Sequence, residues 1–271
     1  MVMSKHEVSE INWTGSENNF LDQPSVESFK NITMGRYGGS KSAGATKNED
    51  GLLIWCDPNN DWEFVILLDA HSSSESAELI INTLTKEKEN IFSILNRSIK
   101  HLFIDIESCI LEFFKSENFV NACKKVSGET SCLICVRKSN FLWWFSVGDC
   151  MLFLFHADLL FWNQNMLNQR NFYEWIGKVN TFELEVPCYS SGRRELRTGF
   201  NNILMVTDGF LQNDQQVNTI NNLFHGDDLS GNINSFVRGL HNDKTIDSTT
   251  LISWNVENIK SSSKPSDSQY G

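Results

Sequence analysis

Residues 64–71, FVILLDAH, run five apolar residues, Phe64 to Leu68, straight into Asp69, Ala70 and His71. A β-prone apolar run bounded by polar residues has the pattern of a strand covered on both faces; periodicity alone leaves a short buried helix open. Such a strand delivers a carboxylate to its own mouth. The ending recurs: residues 203–209, ILMVTDG, place Asp208 after an apolar run, and residues 141–149, FLWWFSVGD, place Asp149 after another. If the strands pack as neighbours the aspartates converge, and converging carboxylates repel unless a cation sits among them.

At 271 residues with no compositional break, one domain is expected. A hydrophobic fraction of 40% and a charged fraction of 21% suit a buried core. The formal charge of −11 argues against nucleic acid or an anionic membrane surface as the partner, since both call for a basic patch. No apolar run approaches the ~18 residues of a membrane span, and the polar start MVMSKHEVSE has no signal-peptide core, so a soluble, cytoplasmic protein is expected, with a monomer favoured. The seven cysteines, an odd number set mostly in apolar stretches, read as buried free thiols in a reducing compartment. Cys132 and Cys135 form a CxxC, but on a strand positions three apart face opposite ways, and no second pair completes a zinc site.

In chain order, residues 1–28 mix polar residues with isolated aromatics (Trp13, Phe20) and read as an N-terminal arm without chemistry. Residues 35–50, GRYGGSKSAGATKNED, form a polar loop that feeds the strand GLLIWC and presents Asn48, Glu49 and Asp50 at the junction; they match neither a GxGxxG nor a P-loop. After His71, SSSESAELIINTL has a helix-start pattern with Glu75 and Glu78 in the early turns. Residues 91–115 place apolar side chains at three- and four-residue intervals and predict one long amphipathic helix, on which His101 and Asp105 read as a solvated pair. From residue 128 the pattern turns to a β meander, in which Trp143, Trp144, Phe153 and Phe155 read as core. Residues 163–195 read as a surface insertion with a short helix around Tyr173 to Ile176, followed by the strand ending at Asp208 and a helix or turn to residue 240. Asp247 precedes a last β-branched strand, and residues 258–271 read as a disordered tail.

Asp50, Asp69, Asp149, Asp208 and Asp247 thus stand at strand edges. Hard oxygen ligands suit Mg²⁺ or Mn²⁺, and two such ions ~3.5–4 Å apart can activate water against a phosphate ester. The order of the motifs NED (48–50), DAH (69–71), GETS (128–131), VGDC (147–150), TDG (207–209) and DSTT (247–250) resembles the type 2C (PPM) family of metal-dependent serine/threonine protein phosphatases. The likeness runs from residue 33 to about residue 256, and the domain it implies covers residues 29–257. It implies an α+β fold, a central antiparallel β-sandwich flanked by α-helices in four α-β-β-α layers, with two metal ions in a cleft at one end. Asp69 is then expected to bridge the ions and the Ala70 carbonyl to bind one. Asp208 and Asp247 are expected to complete the coordination of the first ion, Glu49 and Asp50 to reach the second directly or through water, and Asp149 to serve a third, weaker ion. His71 is expected to protonate the leaving serine or threonine oxygen of a phosphorylated protein, as a hydroxide bridging the ions attacks phosphorus in line.

The chain departs from the family at Ala45, where an arginine usually grips the substrate phosphate. Lys47, Lys41 and Arg36 are the cations offered by the same stretch, with Lys47 nearest in sequence; a lysine is a point charge without the guanidinium fork. Ser72, Ser73 and Ser248 also replace family residues, two glycines and an asparagine. A divergent phosphatase is the first expectation, and a pseudophosphatase acting as a binding or regulatory module is the alternative. A phosphotransferase forming an aspartyl-phosphate would call for a second Asp at position 71 and a parallel βα alternation, neither of which is present.

Overall fold

The computed structural model describes residues 8–211, 223–224, 228–264 and 266. In chain order the strands are β1 (Ser9–Thr14), β2 (Ser25–Phe29), β3 (Ile32–Tyr37), β4 (Gly51–Asp57), β5 (Trp62–His71), β6 (Glu129–Lys138), β7 (Phe141–Val147), β8 (Met151–Phe155), β9 (Ile176–Gly177), β10 (Ser190–Glu195), β11 (Gly199–Val206) and β12 (Thr249–Asn258). They make two sheets with antiparallel pairings throughout. The larger is ordered β1-β4-β5-β6-β7-β10 with β9 on the end of β6, and the smaller β2-β3-β12-β11-β8.

β5 is buried from Trp62 to Ala70, and its alternation explains the unbroken apolar run. Phe64, Ile66 and Leu68 face a helical layer, whereas Val65 and Leu67 face the second sheet, so both faces are covered. The helical layer consists of α1 (Glu75–Lys86), α2 (Lys88–Leu95), α3 (Ile99–Lys115) and α4 (Glu117–Cys123), which contribute Ile80, Leu84, Ile94, Ile106, Ile110 and Phe119 to that core. Between the sheets lie Leu52, Ile54 and Leu133 from one side and Met34, Ile203, Met205, Ile252 and Trp254 from the other. After the short helix α5 (Ala157–Phe161), helix α6 (Leu229–Asn242) closes the far side, with Ile233, Val237 and Leu240 packed on Tyr37, Leu204, Val206 and Leu251. The expected four-layer α-β-β-α sandwich is therefore present. Among the described residues no helix is long and apolar enough to cross a membrane.

Several local expectations are corrected. The helix expected over 91–115 is broken at 96–98: Ser98 is extended (φ −64°, ψ 147°), and Asn96 Oδ1 accepts a hydrogen bond from Trp62 Nε1 at 2.9 Å. Asp105 pairs with Arg97 at 3.0 Å rather than with His101. Much of the stretch 1–28 is not an arm. β1 pairs along β4 with Trp13 opposite Leu52, β2 pairs with β3, and Trp13 and Phe20 are buried beneath the Arg36 guanidinium, 5.2 and 4.7 Å from their centroids. Two large rings bury enough apolar area to order a segment that lacks any period. Tyr173 (φ +69°) sits in a turn and Ile176–Gly177 is strand, so the helix expected at 173–176 is absent and α5 lies earlier. The start of the expected tail is tied down: Arg197 Nη1 donates to the Ser263 carbonyl at 2.7 Å, and the Ser263 N–H donates to Glu195 Oε2 at 3.1 Å. Residues 1–7, 212–222, 225–227, 265 and 267–271, on which parts of the arm, helix and tail expectations fall, lie outside the described residues.

Candidate active site

Strand register gathers the acids. Asp50 immediately precedes Gly51, which pairs with Leu68, one residue before Asp69. Leu68 pairs with Cys132, and Cys132 with Val147, which brings the Gly148–Asp149 turn to the same edge. In the other sheet Val206 pairs with both Leu251 and Met151, so Asp208 and Asp247 end their strands on that side too. Two glycines allow the close approach. A Cβ on Gly148 (φ +89°) would stand 2.2 Å from Ser131 Oγ, and one on Gly209 would stand 1.9 Å from the Ser248 carbonyl oxygen. The Asp208 N–H donates to Asp69 Oδ2 at 3.3 Å, a direct contact between the sheets.

The carboxylates are enclosed: Asp50 is 0%, Asp69 5% and Asp149 8% exposed. Burial, reinforced by Asp50, Asp208 and Asp149, pushes the Asp69 carboxyl well above the usual range. Burial pushes Asp50 up to about 7, against the pull of hydroxyl hydrogen bonds and with the repulsion of Asp247 and Asp208. Asp208 is raised by burial and by Asp149 and Asp247, while the contact with Asp69 and the nearby His71 act the other way. Among the described residues no lysine or arginine forms an ion pair with Asp50, Asp69, Asp149 or Asp208. Nor, among them, do three His, Cys, Asp or Glu side chains stand close enough together to grip an ion as they are. The donor set is nonetheless all carboxylate oxygen, mutually repelling and short of positive charge, which fits hard divalent cations such as Mg²⁺ or Mn²⁺.

No protein-family model and no curated protein sequence matches the chain significantly. Solved structures do. A magnesium complex of RsbX superposes with a TM-score of 0.57 at 13% identity, over 86% of this chain and 100% of that one. The catalytic domain of the serine/threonine protein phosphatase PstP, in complex with two manganese ions, gives 0.55 at 11% identity over 93% and 98%. The S. agalactiae serine/threonine phosphatase gives 0.53 at 12% identity over 93% and 99%. The chain has the type 2C phosphatase fold.

Within the type 2C fold, each substituted position has a definite setting here. Ala70 lies inside β5 and does not take positive φ, so an alanine is accommodated with its carbonyl in place. Ser72, by contrast, has φ +73°, a left-handed conformation that glycine adopts without strain and serine does not. His71 is the exposed last residue of β5. Ala45 is buried under Gly39. Lys47 reaches into the mouth: its Nζ donates to the Ser72 carbonyl at 2.8 Å and pairs with Glu49. Arg36 belongs to β3 and not to the loop, and is engaged with Glu27 at 2.5 Å above the Trp13 and Phe20 rings. Lys41 is exposed on a single 3₁₀ turn.

Four hydroxyl residues with no role assigned from the sequence also belong to the site. Ser131 Oγ donates to Asp149 Oδ1 at 2.6 Å, while Ser248 Oγ and Thr250 Oγ1 donate to Asp50 Oδ1 and Oδ2 at 3.0 and 2.6 Å. Thr207 Oγ1 accepts the Thr250 N–H at 3.0 Å. All four lie inside the GETS, TDG and DSTT tripeptides and tetrapeptides; the signal was their position beside a buried acid.

Proposed function

We propose that the chain is a metal-dependent protein serine/threonine phosphatase. The observation that carries this reading is the convergence of Asp50, Asp69, Asp149 and Asp208 at one end of the sandwich with no ion-paired lysine or arginine among the described residues. Metal-bearing neighbours of the same fold support it. Asp69, the Ala70 carbonyl, Asp208 and Asp247 would hold one Mg²⁺ or Mn²⁺, Glu49 and Asp50 a second, and Asp149 a third, weaker one. Bound there, the ions would lower the pKa of water and neutralise phosphoryl oxygens.

The remaining steps fall to this chain's own groups. His71, exposed at the mouth beside Asp208, holds the proton that the departing seryl or threonyl oxygen needs. Lys47, paired with Glu49, would supply the cation for the phosphate that Ala45 cannot. The walls around Asp50 and Asp69 exclude bulk water and strengthen every electrostatic contact made there. Ala45 favours a second reading, a pseudophosphatase that keeps fold and metal but serves as a binding module.

Purified chain with Mn²⁺ is expected to hydrolyse an aryl phosphate, and Asp208→Asn to lower kcat by roughly 10²–10³-fold or more, as loss of a charge-stabilising group does. No turnover of an aryl phosphate or a phosphopeptide with either Mn²⁺ or Mg²⁺ would leave the pseudophosphatase reading.

A further inference from the structure

Asp50 is the most enclosed acid of the site, and its surroundings cross the sandwich. It immediately precedes β4 of the larger sheet, yet both its oxygens accept hydrogen bonds from the smaller sheet's side: Thr250 Oγ1 to Oδ2 at 2.6 Å and Ser248 Oγ to Oδ1 at 3.0 Å. Thr250 is itself fixed. Its N–H donates to Thr207 Oγ1 and its carbonyl accepts the Thr207 N–H, each at 3.0 Å, and Thr207 immediately precedes Asp208. On the near side the Asp50 N–H donates to Asn48 Oδ1 at 3.0 Å. A carboxylate offers about four lone-pair directions; two hydroxyl donors occupy two and leave the others aimed in one fixed sense.

We propose that Thr250 and Ser248 are positioning residues, a two-hydroxyl clamp that fixes the rotation of the Asp50 carboxylate and its spacing from Asp208 across the two sheets, so that a divalent cation meets preset donors. The clamp rests on the metal-centre part of the function proposed above and not on the catalytic part. At position 248 the hydroxyl comes from a serine where the type 2C motif carries an asparagine. Hydroxyl donors to a ligating carboxylate act as outer supports do in metal sites generally: they keep the ligand oriented and charged.

The test is Mn²⁺ affinity by titration calorimetry on the full chain, with circular dichroism to confirm folding of each variant. Thr250→Val keeps a β-branched side chain but no hydroxyl, and is expected to weaken Mn²⁺ binding by about 10–100-fold, with Thr250→Ser returning to within about threefold of wild type. A folded Thr250→Val that binds Mn²⁺ as wild type does overturns the clamp. Should Thr250→Val fail to fold, Ser248→Ala decides, because Ser248 is only half-buried and lies just outside β12: weakened binding supports the clamp and unchanged binding overturns it. Absence of Mn²⁺ binding by wild type overturns both the clamp and the metal centre. Binding that responds to these variants in a protein without phosphatase turnover leaves the clamp standing and removes only the phosphatase.

Discussion

Under the proposed function, Lys47 is the residue on which substrate binding would turn. With alanine at 45 and Arg36 buried over the rings of Trp13 and Phe20, it is the cation placed between Glu49 and the Ser72 carbonyl at the mouth beside His71. A charge-assisted contact to phosphate is worth about 1.5–3 kcal/mol, so Lys47→Ala should raise KM for a phosphopeptide by about 10–100-fold with a smaller change in kcat. An unchanged KM would assign Lys47 to holding Glu49 alone. The identity of this residue as the nearest cation was legible in the sequence; its engagement with Glu49 was not, because an ion pair two residues apart depends on the path of the loop. The same holds for Ser131, Ser248 and Thr250. Their hydroxyls matter only because a carboxylate distant in sequence, Asp149 or Asp50, is folded against them.

At the level of elements, the central strands were legible because burial on both faces writes itself as a continuous apolar run, as in FVILLDAH. The edge strands were not. β1 does alternate, with Ile11 and Trp13 turned to the core between the sheets, but over a run too short to stand out from the polar residues around it. Trp13→Ala should therefore cost about 3–5 kcal/mol in urea unfolding, as core aromatic truncations do, whereas a disordered arm would lose nothing. The break between α2 and α3 escaped for a related reason. Ile94, Leu95, Ile99 and Leu102 keep the helical phase across Asn96–Ser98, and only the extended Ser98 and the bond from Trp62 to Asn96 reveal the corner.

For the whole molecule, the site is a seam: one sheet contributes Asp50, Asp69 and Asp149, the other Asp208 and Asp247, and the sandwich must hold them together against their repulsion. That tension has a pH signature. An unfolded Asp titrates near 4, whereas Asp50 in the fold is held up to about 7. Below pH ~4 both states carry the proton; between about 4 and about 7 only the folded state does, so this contribution to stability is lost as pH rises through that window, by about 1.4 kcal/mol per pH unit for each proton held. With a chelator present, the urea midpoint should fall from pH 5.5 to pH 7.5, and Asp50→Asn should reduce that fall. Mn²⁺ should raise the midpoint more at pH 7.5 than at pH 5.5, since the ion competes with protons for the same oxygens. A midpoint drop that is the same in Asp50→Asn would place the titrating group elsewhere.

On the proposed function, this cluster of acids holds divalent ions for hydrolysis of a phosphate ester. Phosphate release from a phosphothreonyl peptide, measured with Mn²⁺ and again after chelation, tests it most directly. Release is expected with Mn²⁺, abolished by chelation and restored by fresh Mn²⁺. A protein that is folded and saturated with Mn²⁺ yet releases no phosphate would contradict it.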